Sequence, residues 1–413
     1  MIENSKSHFY YGWLIVVAGF CIQMVAWGTF ITFGVFLKPL LNEFGWTRAA
    51  TAGAASLNTA LRGLFYFVVG KLNDKYGPKI LVGGCGLILG FGCILMSQVN
   101  TVWQLYLFYG VFVSIGMSAS FVPVATTITS WFVKKRGMAT SIFLSGSSFG
   151  CMIMAPISNW FISNYGWRTS YVIIGIMAVV GFILLAQFLK SGSTVVTELQ
   201  DDTIEVKRKI LAYEARSLSF RESIETKQFW ILCVTVFLGS FCQFTVLVHL
   251  VSFATDLGIS AENGAALLSI ATGMGVVGRI LIGIAADKVG NRKIFAMCFG
   301  LLMADFVLLS FAMTFWMYCM FAIIYGLVAS VSVVLPSPMV AELFGLKTHG
   351  TILGVVMFGG TIGGAAGPLL AGYIFDLTGS YQLDFLTCAI FAITGAGMSL
   401  FLKPTVEQLD NCK

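Results

Sequence analysis

Long apolar segments alternate with short polar ones along almost the whole chain of 413 residues. Twelve of these segments reach about 20 residues, the length that an α-helix needs to cross a hydrocarbon layer of about 30 Å. We predict twelve spans, numbered in chain order, near 13–37, 49–70, 80–98, 103–131, 137–163, 169–189, 228–252, 263–286, 294–313, 315–341, 350–374 and 384–402. The pattern therefore predicts an all-α integral membrane protein.

One long polar segment, 190–227, separates the first six spans from the last six. Within it, residues 203–217 carry apolar side chains at helical spacing, which predicts an amphipathic helix. The sequence thus predicts an N-terminal six-helix bundle at 1–189, a cytoplasmic linker at 190–227 and a C-terminal six-helix bundle at 228–413.

A charged motif occurs twice at a fixed distance. GKLNDKYGPK begins at Gly70 and GIAADKVGNRK at Gly283, so that Asp74 and Asp287 lie 213 residues apart. The same offset relates Gly45 to Gly258, Ser56 to Ser269, Pro123 to Pro336, Gly137 to Gly350, Gly146 to Gly359 and Gly150 to Gly363. Coincidences spread over the chain at one offset indicate a duplication, and hence two pseudo-symmetric bundles.

Helix-bending residues follow the same repeat. Pro123 and Pro336 fall in the equivalent spans 4 and 10, where a proline removes a helical hydrogen bond and bends or breaks the helix. Glycines cluster in the equivalent spans 5 and 11, and small residues at helical spacing allow helices to pack closely. Bendable, closely packed helices at matching places favour a transporter whose two halves rock against each other.

Charge is scarce and unevenly distributed. Apolar residues make up 57% of the chain and charged residues 11%, whereas about 25% are charged in soluble domains. Of the 25 Lys and Arg residues, 20 lie in the loops and tails on one side of the predicted membrane, which identifies that side as cytoplasmic. Both termini are therefore expected in the cytoplasm. The net charge of +6 restates this asymmetry and indicates no nucleic-acid partner.

In each copy of the charged motif, an aspartate follows the end of a span and precedes a lysine and then a glycine. Such a cluster can pair with neighbouring helix ends and hold one conformation at the cytoplasmic face. We call it the latch motif. Its residues are Gly70, Asp74, Lys75 and Gly77 in the first copy and Gly283, Asp287, Lys288 and Gly290 in the second.

Few ionisable residues lie well inside the spans. A charge at the centre of a bilayer costs roughly 2.5–3.5 kcal/mol on insertion scales, so each of them suggests a function. Arg279 in span 8 is the first candidate, because a guanidinium stays charged and its planar fork matches a carboxylate. The alternative is an arginine that extends to the cytoplasmic surface.

Other candidates inside the spans each have a structural alternative. Asn58, Arg62 and Tyr66 share one face of span 2, and Arg62 is either a second cationic contact or half of a structural ion pair. His249 in span 7 either packs between helices or binds substrate or a proton. Asp305 in span 9 is either structural or a proton carrier. Weaker candidates for substrate contact are Gln243, Ser118 and Ser145.

The sequence makes no case for an enzyme, a metal site or a cofactor. Its three histidines lie far apart in the sequence without an HExxH-type pairing, and its ten cysteines are scattered without a CxxC pair. No segment resembles a nucleotide-binding loop. Transport driven by a gradient is therefore expected.

The latch motif has the spacing G-x-x-x-D-[KR]-x-G-x-[KR] and resembles the signature loop of the major facilitator superfamily. Residues 10–36, 131–150, 341–354 and 367–381 resemble the monocarboxylate transporter family and its bacterial relatives of the oxalate:formate antiporter type. This resemblance implies twelve helices, alternating access, and binding of the substrate carboxylate by Arg279.

Two departures from those families bear on the substrate. Span 1 lacks the lysine of animal monocarboxylate transporters, and span 11 lacks the lysine that the oxalate carrier uses as a second cation. With Arg279 as the best-supported fixed cation, we expect a monocarboxylate similar to lactate or pyruvate. If Arg62 also faces the site, a dicarboxylate or formate-type antiporter is the alternative. Efflux of drugs or organic ions is a third, disfavoured because the candidates are basic.

The charge of Arg279 also bears on coupling. An arginine cannot discharge, so an empty site would leave a positive charge in a low dielectric. Anion exchange and proton symport both neutralise it, and the sequence leaves both open. The expected partners are a small organic anion, protons and the lipid bilayer, and the protein is expected to be a monomer.

Overall fold

The computed structural model describes residues 3–132, 135–190, 217–311 and 314–402. Within these ranges the ordered elements are helices, and no strand occurs. The amphipathic helix predicted at 203–217 falls almost entirely outside the described residues.

Six helices form the first half of the chain. They are α1 (Glu3–Phe44), α2 (Arg48–Tyr76), α3 (Pro78–Met96), α4 (Val102–Trp131), and α5 and α6, which share the helical stretch Arg136–Ala186. Gly166 divides that stretch, because its φ of 75° and ψ of 161° are not helical. We therefore number α5 as 136–165 and α6 as 167–186.

The second half repeats this order after a short helix, Phe220–Ile224. Its helices are α7 (Lys227–Asp256), α8 (Ala261–Val289), α9 (Asn291–Ser310), α10 (Phe315–Val334, followed by Pro336–Phe344), α11 (His349–Thr378) and α12 (Gln382–Ser399). The described residues thus contain the twelve helices that the apolar segments predict.

Ten helical stretches of the described residues are long and apolar enough to cross a membrane. The stretch Arg136–Ala186 counts once although it contains α5 and α6. Only α2 is missing from the ten, and it carries polar side chains inside its length, among them the buried Asn58 and Arg62. The polar character of α2 thus comes partly from residues that it presents to the protein interior.

The duplication is visible in the backbone. Glycines with positive φ occur in three pairs separated by the repeat distance, namely Gly45 and Gly258, Gly77 and Gly290, and Gly166 and Gly379. Glycine adopts positive φ without the steric penalty of a side chain, so each pair marks the same tight turn in both halves. Gly345 also has positive φ, but its counterpart Phe132 has an ordinary φ of −109°.

Both prolines of the repeat interrupt their helices, as predicted. In α4 a π-helical segment, Tyr106–Val113, precedes a break after Ser118, and the helix resumes at Val122 with Pro123 in its first turn. In α10 the helix pauses at Leu335 and resumes at Pro336. A proline is tolerated in a first turn because its missing N–H would have no helical partner there.

The chain divides into two compact units. Unit 1 comprises Met1–Val133, Ile142–Ala215 and Leu346–Gly354. Unit 2 comprises Lys134–Ser141, Arg216–Gly345 and Val355–Lys413. The first turns of α5 therefore belong to unit 2, and the first turns of α11 belong to unit 1.

Equivalent helices pack together within each unit. In unit 1, α2 and α3 contact α4, and in unit 2, α8 and α9 contact α10. Glycines allow the closest approaches: a Cβ at Gly86 of α3 would collide with Phe182 of α6, and one at Gly395 of α12 would collide with Phe299 of α9. The packing of the two units thus follows the repeat.

Candidate functional site

Arg62 is buried in unit 1, with 6% of its surface exposed. Its guanidinium carbon lies 5.1 Å from the ring centroid of Trp27 and 4.8 Å from that of Phe30, both on α1. One N–H points at the sulfur of Met117 on α4, at 3.7 Å. No acidic side chain of the described residues pairs with Arg62, so aromatic faces and a weak sulfur acceptor stabilise this charge.

Asn58 and Tyr66 lie one turn to either side of Arg62 and are also buried. The Asn58 amide donates to the backbone oxygen of Tyr109 at 2.8 Å, in the π-helical segment of α4. Its side-chain oxygen is buried without a partner. The Tyr66 ring packs against Phe121, with centroids 5.9 Å apart. Asn58, Arg62 and Tyr66 therefore share a buried face of α2, as predicted. The amide nitrogen of Asn58 holds α2 against α4.

The two serine candidates of unit 1 are buried as well. Ser118 follows Met117 on α4, and its hydroxyl donates to the Ile115 backbone oxygen at 2.6 Å. Ser145 lies on α5. Ser118 lies next to the Arg62 contact, but its hydrogen is used within its own helix.

Arg279 lies half-buried on α8 in unit 2, and its Nε is 3.4 Å from the hydroxyl of Ser330 on α10. The preceding residue, Gly278, is in tight contact with the backbone of Leu327, where a Cβ would collide. This contact brings α8 and α10 together and sets the position of the arginine.

The two arginines occupy related positions. Arg279 is the repeat counterpart of Tyr66, one turn from Arg62, and Ser330 is the counterpart of Met117. In each unit, an arginine of the second helix therefore contacts the same position of the fourth helix of its half. The repeat offset relates these positions in the sequence, but only the structure shows that the arginine of the second helix contacts the fourth helix.

His249 on α7 contacts two other segments of unit 2. Its Nε2 lies 3.0 Å from the backbone oxygen of Pro368 on α11, and its Nδ1 lies 3.1 Å from the hydroxyl of Tyr381. Because a carbonyl oxygen can only accept, Nε2 carries a hydrogen, and in the neutral ring Nδ1 accepts from Tyr381. His249 thus connects α7 and α11 to the residue that precedes α12.

Gln243 and Asp305 both lie close to Tyr325 of α10 in unit 2. The Gln243 backbone oxygen accepts from the Tyr325 hydroxyl at 2.6 Å, while its side-chain oxygen is buried without a partner. Asp305 on α9 is 1% exposed, and neither of its carboxylate oxygens has a hydrogen-bond partner. The sequence singled out Asp305 alone among the buried acids, but Asp384 on α12 is equally buried.

Asp74 of the first latch motif contacts the start of α11 within unit 1. Its carboxylate accepts from the backbone N–H of Gly350 at 2.9 Å, and from the N–H and hydroxyl of Thr351 at 2.8 and 2.6 Å. A helix start offers free N–H groups and positive partial charge, which suit a carboxylate. Loss of water at this contact raises the pKa of Asp74, and the bonds from Thr351 and Gly350 act in the opposite direction.

Asp287 of the second motif makes the corresponding contact within unit 2. Its carboxylate accepts from the N–H of Gly137 at 2.8 Å and from that of Met138 at 2.9 Å, at the start of α5. Gly137 and Gly350 are repeat counterparts, as are Met138 and Thr351. Both aspartates thus bind the same structural element in the opposite half of the sequence.

Glycines of the latch motif permit this contact. A Cβ at Gly70 would collide with the backbone of Gly350, and a Cβ at Gly283 with that of Gly137. Gly77 and Gly290 provide the positive-φ turns that follow. Lys75 and Lys288 are exposed. The sequence identified these residues, but not their partners.

Comparisons with known proteins identify the family. The sequence profile of the Major Facilitator Superfamily matches residues 17–304 and 276–411. The chain belongs to this superfamily. Monocarboxylate transporter 13 of Rattus norvegicus is 24% identical over 95% of the chain and 89% of its own length. Human monocarboxylate transporter 2 is 25% identical over 94% and 84%. Within the superfamily, the chain is monocarboxylate transporter-like.

Solved structures of the superfamily share this fold. The proton:xylose symporter XylE has a TM-score of 0.73 at 14% identity, covering 97% of the chain and 99% of its own. The Escherichia coli fucose:proton symporter FucP has a TM-score of 0.69 at 15% identity, covering 94% and 98%. The protein is therefore a multi-pass membrane protein with the twelve-helix major facilitator fold, and a secondary transporter rather than an enzyme.

Proposed function

We propose that this major facilitator protein carries a small monocarboxylate, similar to lactate or pyruvate, across the cytoplasmic membrane by alternating access. The observation that carries the proposal is Arg279, a half-buried arginine that the packing of α8 on α10 holds beside the Ser330 hydroxyl. The similarity of the chain to monocarboxylate transporters supports the substrate class.

Arg279 supplies the chemistry that a carboxylate requires. Its guanidinium remains charged at any physiological pH and offers parallel N–H donors to the two carboxylate oxygens. The Ser330 hydroxyl can orient the guanidinium or donate to the same anion. Gln243 is a further candidate: its side-chain oxygen, which has no partner, could accept from a substrate hydroxyl, and its amide N–H could donate to a keto group.

Coupling follows from the permanence of that charge. Reorientation of an empty site would carry a positive charge through a low dielectric, whereas a bound anion neutralises it. Anion exchange therefore needs no further group. Proton symport needs a proton-binding residue, for which Asp305 and His249 are the candidates.

A dicarboxylate is the second candidate substrate, and Arg62 is the observation that favours it. Its buried guanidinium has no acidic partner among the described residues, and a second carboxylate would provide one. Asn58, Tyr66 and Ser118 would then be polar neighbours of this second contact, and Ser145 on α5 is a further buried hydroxyl of unit 1.

The latch motif would regulate the transport cycle. Asp74 and Asp287 each bind a helix start that comes from the opposite half of the sequence, so both contacts must break if the halves rock apart there. The halves would be 1–189 and 228–413, joined by 190–227. We further propose that the protein is a monomer in a bacterial inner membrane, with both termini cytoplasmic.

Uptake of labelled lactate into proteoliposomes tests the function. One set of vesicles receives an inward proton gradient, and a second set is preloaded with unlabelled lactate. Uptake into empty vesicles that follows the gradient would establish proton symport, and uptake only into preloaded vesicles would establish exchange. Absence of both, with oxalate transported instead, would replace the monocarboxylate by the dicarboxylate.

A further inference from the structure

Two buried carboxylates lie on adjacent helices of unit 2. Asp305 on α9 and Asp384 in the first turn of α12 have exposures of 1% and 0%. The residues that follow them, Phe306 and Phe385, stack with ring centroids 6.2 Å apart. Because α9 and α12 pack along their length, this contact places both carboxylates at the same level of the bundle.

None of the four oxygens of these carboxylates has a hydrogen-bond partner. No lysine or arginine of the described residues pairs with either group. An ionised carboxylate buried in this way loses its hydration without compensation, so the neutral acid is strongly favoured. Binding of one proton by each carboxylate removes this cost.

Among the described residues, the titratable groups within electrostatic range of the two acids are two tyrosines and a cysteine. Tyr325 of α10 lies within electrostatic range of Asp305, and also of Cys242 on α7 and Cys388 on α12. Cys388 lies within range of Asp384 and beside Thr245. The acid on the remaining packed segment, Glu342 in Pro336–Phe344, is engaged with Asn291 at the start of α9.

Tyr381 links the surroundings of Asp384 to His249. Tyr381 lies next to the first turn of α12 and within electrostatic range of Asp384, and its hydroxyl contacts Nδ1 of His249. His249 is partly exposed, whereas the two acids are not. No hydrogen bond joins Tyr381 to Asp384 in this conformation, so exchange of protons with the acids requires a rearrangement of this region.

We propose that Asp305 and Asp384 form a proton-binding pair inside unit 2, distinct from the arginine that binds the anion. The proposal rests on the transport function proposed above and assigns its proton coupling to the α9–α12 contact. Asp384 is the residue that makes the site a pair, with one proton for each carboxylate.

Infrared spectroscopy of the purified full chain in nanodiscs tests the pair without any substrate. Protonated carboxylic acids have a C=O stretch that ionised ones lack, and the difference spectrum between neutral and alkaline buffer reports it. We expect Asp305→Asn and Asp384→Asn each to remove part of the band, and the double variant to remove the rest. Asp376→Asn, an exposed acid of the same unit, is the matched control and should leave the band unchanged. A band that either single variant leaves intact overturns the pair.

Transport by the same variants tests the coupling. In proteoliposomes, the double variant should lose accumulation of labelled lactate driven by a proton gradient, and retain far more of the exchange into preloaded vesicles. Equal losses in both assays would overturn the assignment. Absence of both activities in the wild type would refute the proposed function, while the infrared result would still decide whether the acids bind protons.

Discussion

Asp287 accepts a hydrogen bond from the backbone N–H of Gly137, and the bond between Asp74 and Gly350 repeats it at the repeat distance. The repeat therefore preserves a tertiary contact as well as a sequence motif. In both cases a carboxylate binds the start of a helix from the opposite half of the sequence, so we expect the contact to break if the halves of the sequence move apart during transport.

The latch aspartates should control turnover more than substrate affinity. Asp74→Asn and Asp287→Asn remove a charge-assisted interaction with a helix start, worth about 0.3–1 kcal/mol for the helix dipole alone. We expect a lower maximal rate of lactate uptake with little change in KM. Glu262→Gln, an exposed acid at the other end of α8, should behave as wild type. A pure loss of affinity would contradict the latch.

Two glycines of the same helix should respond differently to alanine. Gly283 on α8 lies against Gly137 and Ser141, whereas nothing lies within 4 Å of a Cβ at Gly273. Gly283→Ala should lower thermal stability, because overpacking costs about 1–3 kcal/mol. Gly273→Ala should be neutral or slightly stabilising. Equal melting temperatures for the two variants would show that α5 and α8 accommodate the added methyl group at Gly283 without loss of stability.

If Arg62 binds the second carboxylate of a dicarboxylate, it should reduce the stability of the empty protein. Burial of a charge without an acidic partner is costly, so an apolar side chain of similar length at this position is expected to stabilise the protein. Arg62→Met should therefore raise the melting temperature and weaken the protection that oxalate gives against heat. Arg168→Met is the contrasting variant and should lower the melting temperature, because Arg168 binds Glu43 at 2.6 Å. A lower melting temperature for Arg62→Met would contradict this prediction and show that the contacts of Arg62 with Trp27, Phe30 and Met117 stabilise unit 1.

Glu43 gives unit 1 a dependence on pH. The hydrogen bond from the Trp167 indole, and then those from Arg168, lower the pKa of Glu43 below its ordinary value. A carboxyl whose pKa is lower in the folded state stabilises it at neutral pH, and that contribution disappears as the pH falls through the folded-state pKa. Because the pair is exposed, the loss should be below about 1 kcal/mol.

Thermal unfolding at neutral and acidic pH checks this effect. Glu43→Gln should lower the melting temperature at neutral pH and converge with the wild type in acid. A difference between the two proteins that is the same at both pH values would show that the charge of Glu43 contributes nothing.

The sequence predicted the helices and the repeat because both depend on local pattern. Apolar segments define the twelve spans, and the offset that relates Gly45 to Gly258 also describes their backbone turns. The partners of Asp74 were not predictable, because a motif shows which residues recur and not what they touch.

The surroundings of the site residues were equally hidden in the sequence. Trp27 and Phe30 are two of many aromatic residues, and only tertiary packing makes them the partners of Arg62. Asp384 gave no signal because acids are common in the first turn of a helix, where the helix dipole favours them. Its complete burial appears only when α9 packs against α12.

Binding of labelled lactate to the purified protein tests the central claim about Arg279 most directly. Arg279→Gln removes a hydrogen bond to a charged group, worth about 1.5–3 kcal/mol, which corresponds to a loss of affinity of roughly 10- to 150-fold. The lactate affinity of Arg279→Lys should lie between those of the wild type and Arg279→Gln, since lysine keeps the charge but lacks the planar fork of donors. Lys293→Gln, an exposed cation of the same unit, should bind as the wild type does. Wild-type affinity in Arg279→Gln would contradict the account.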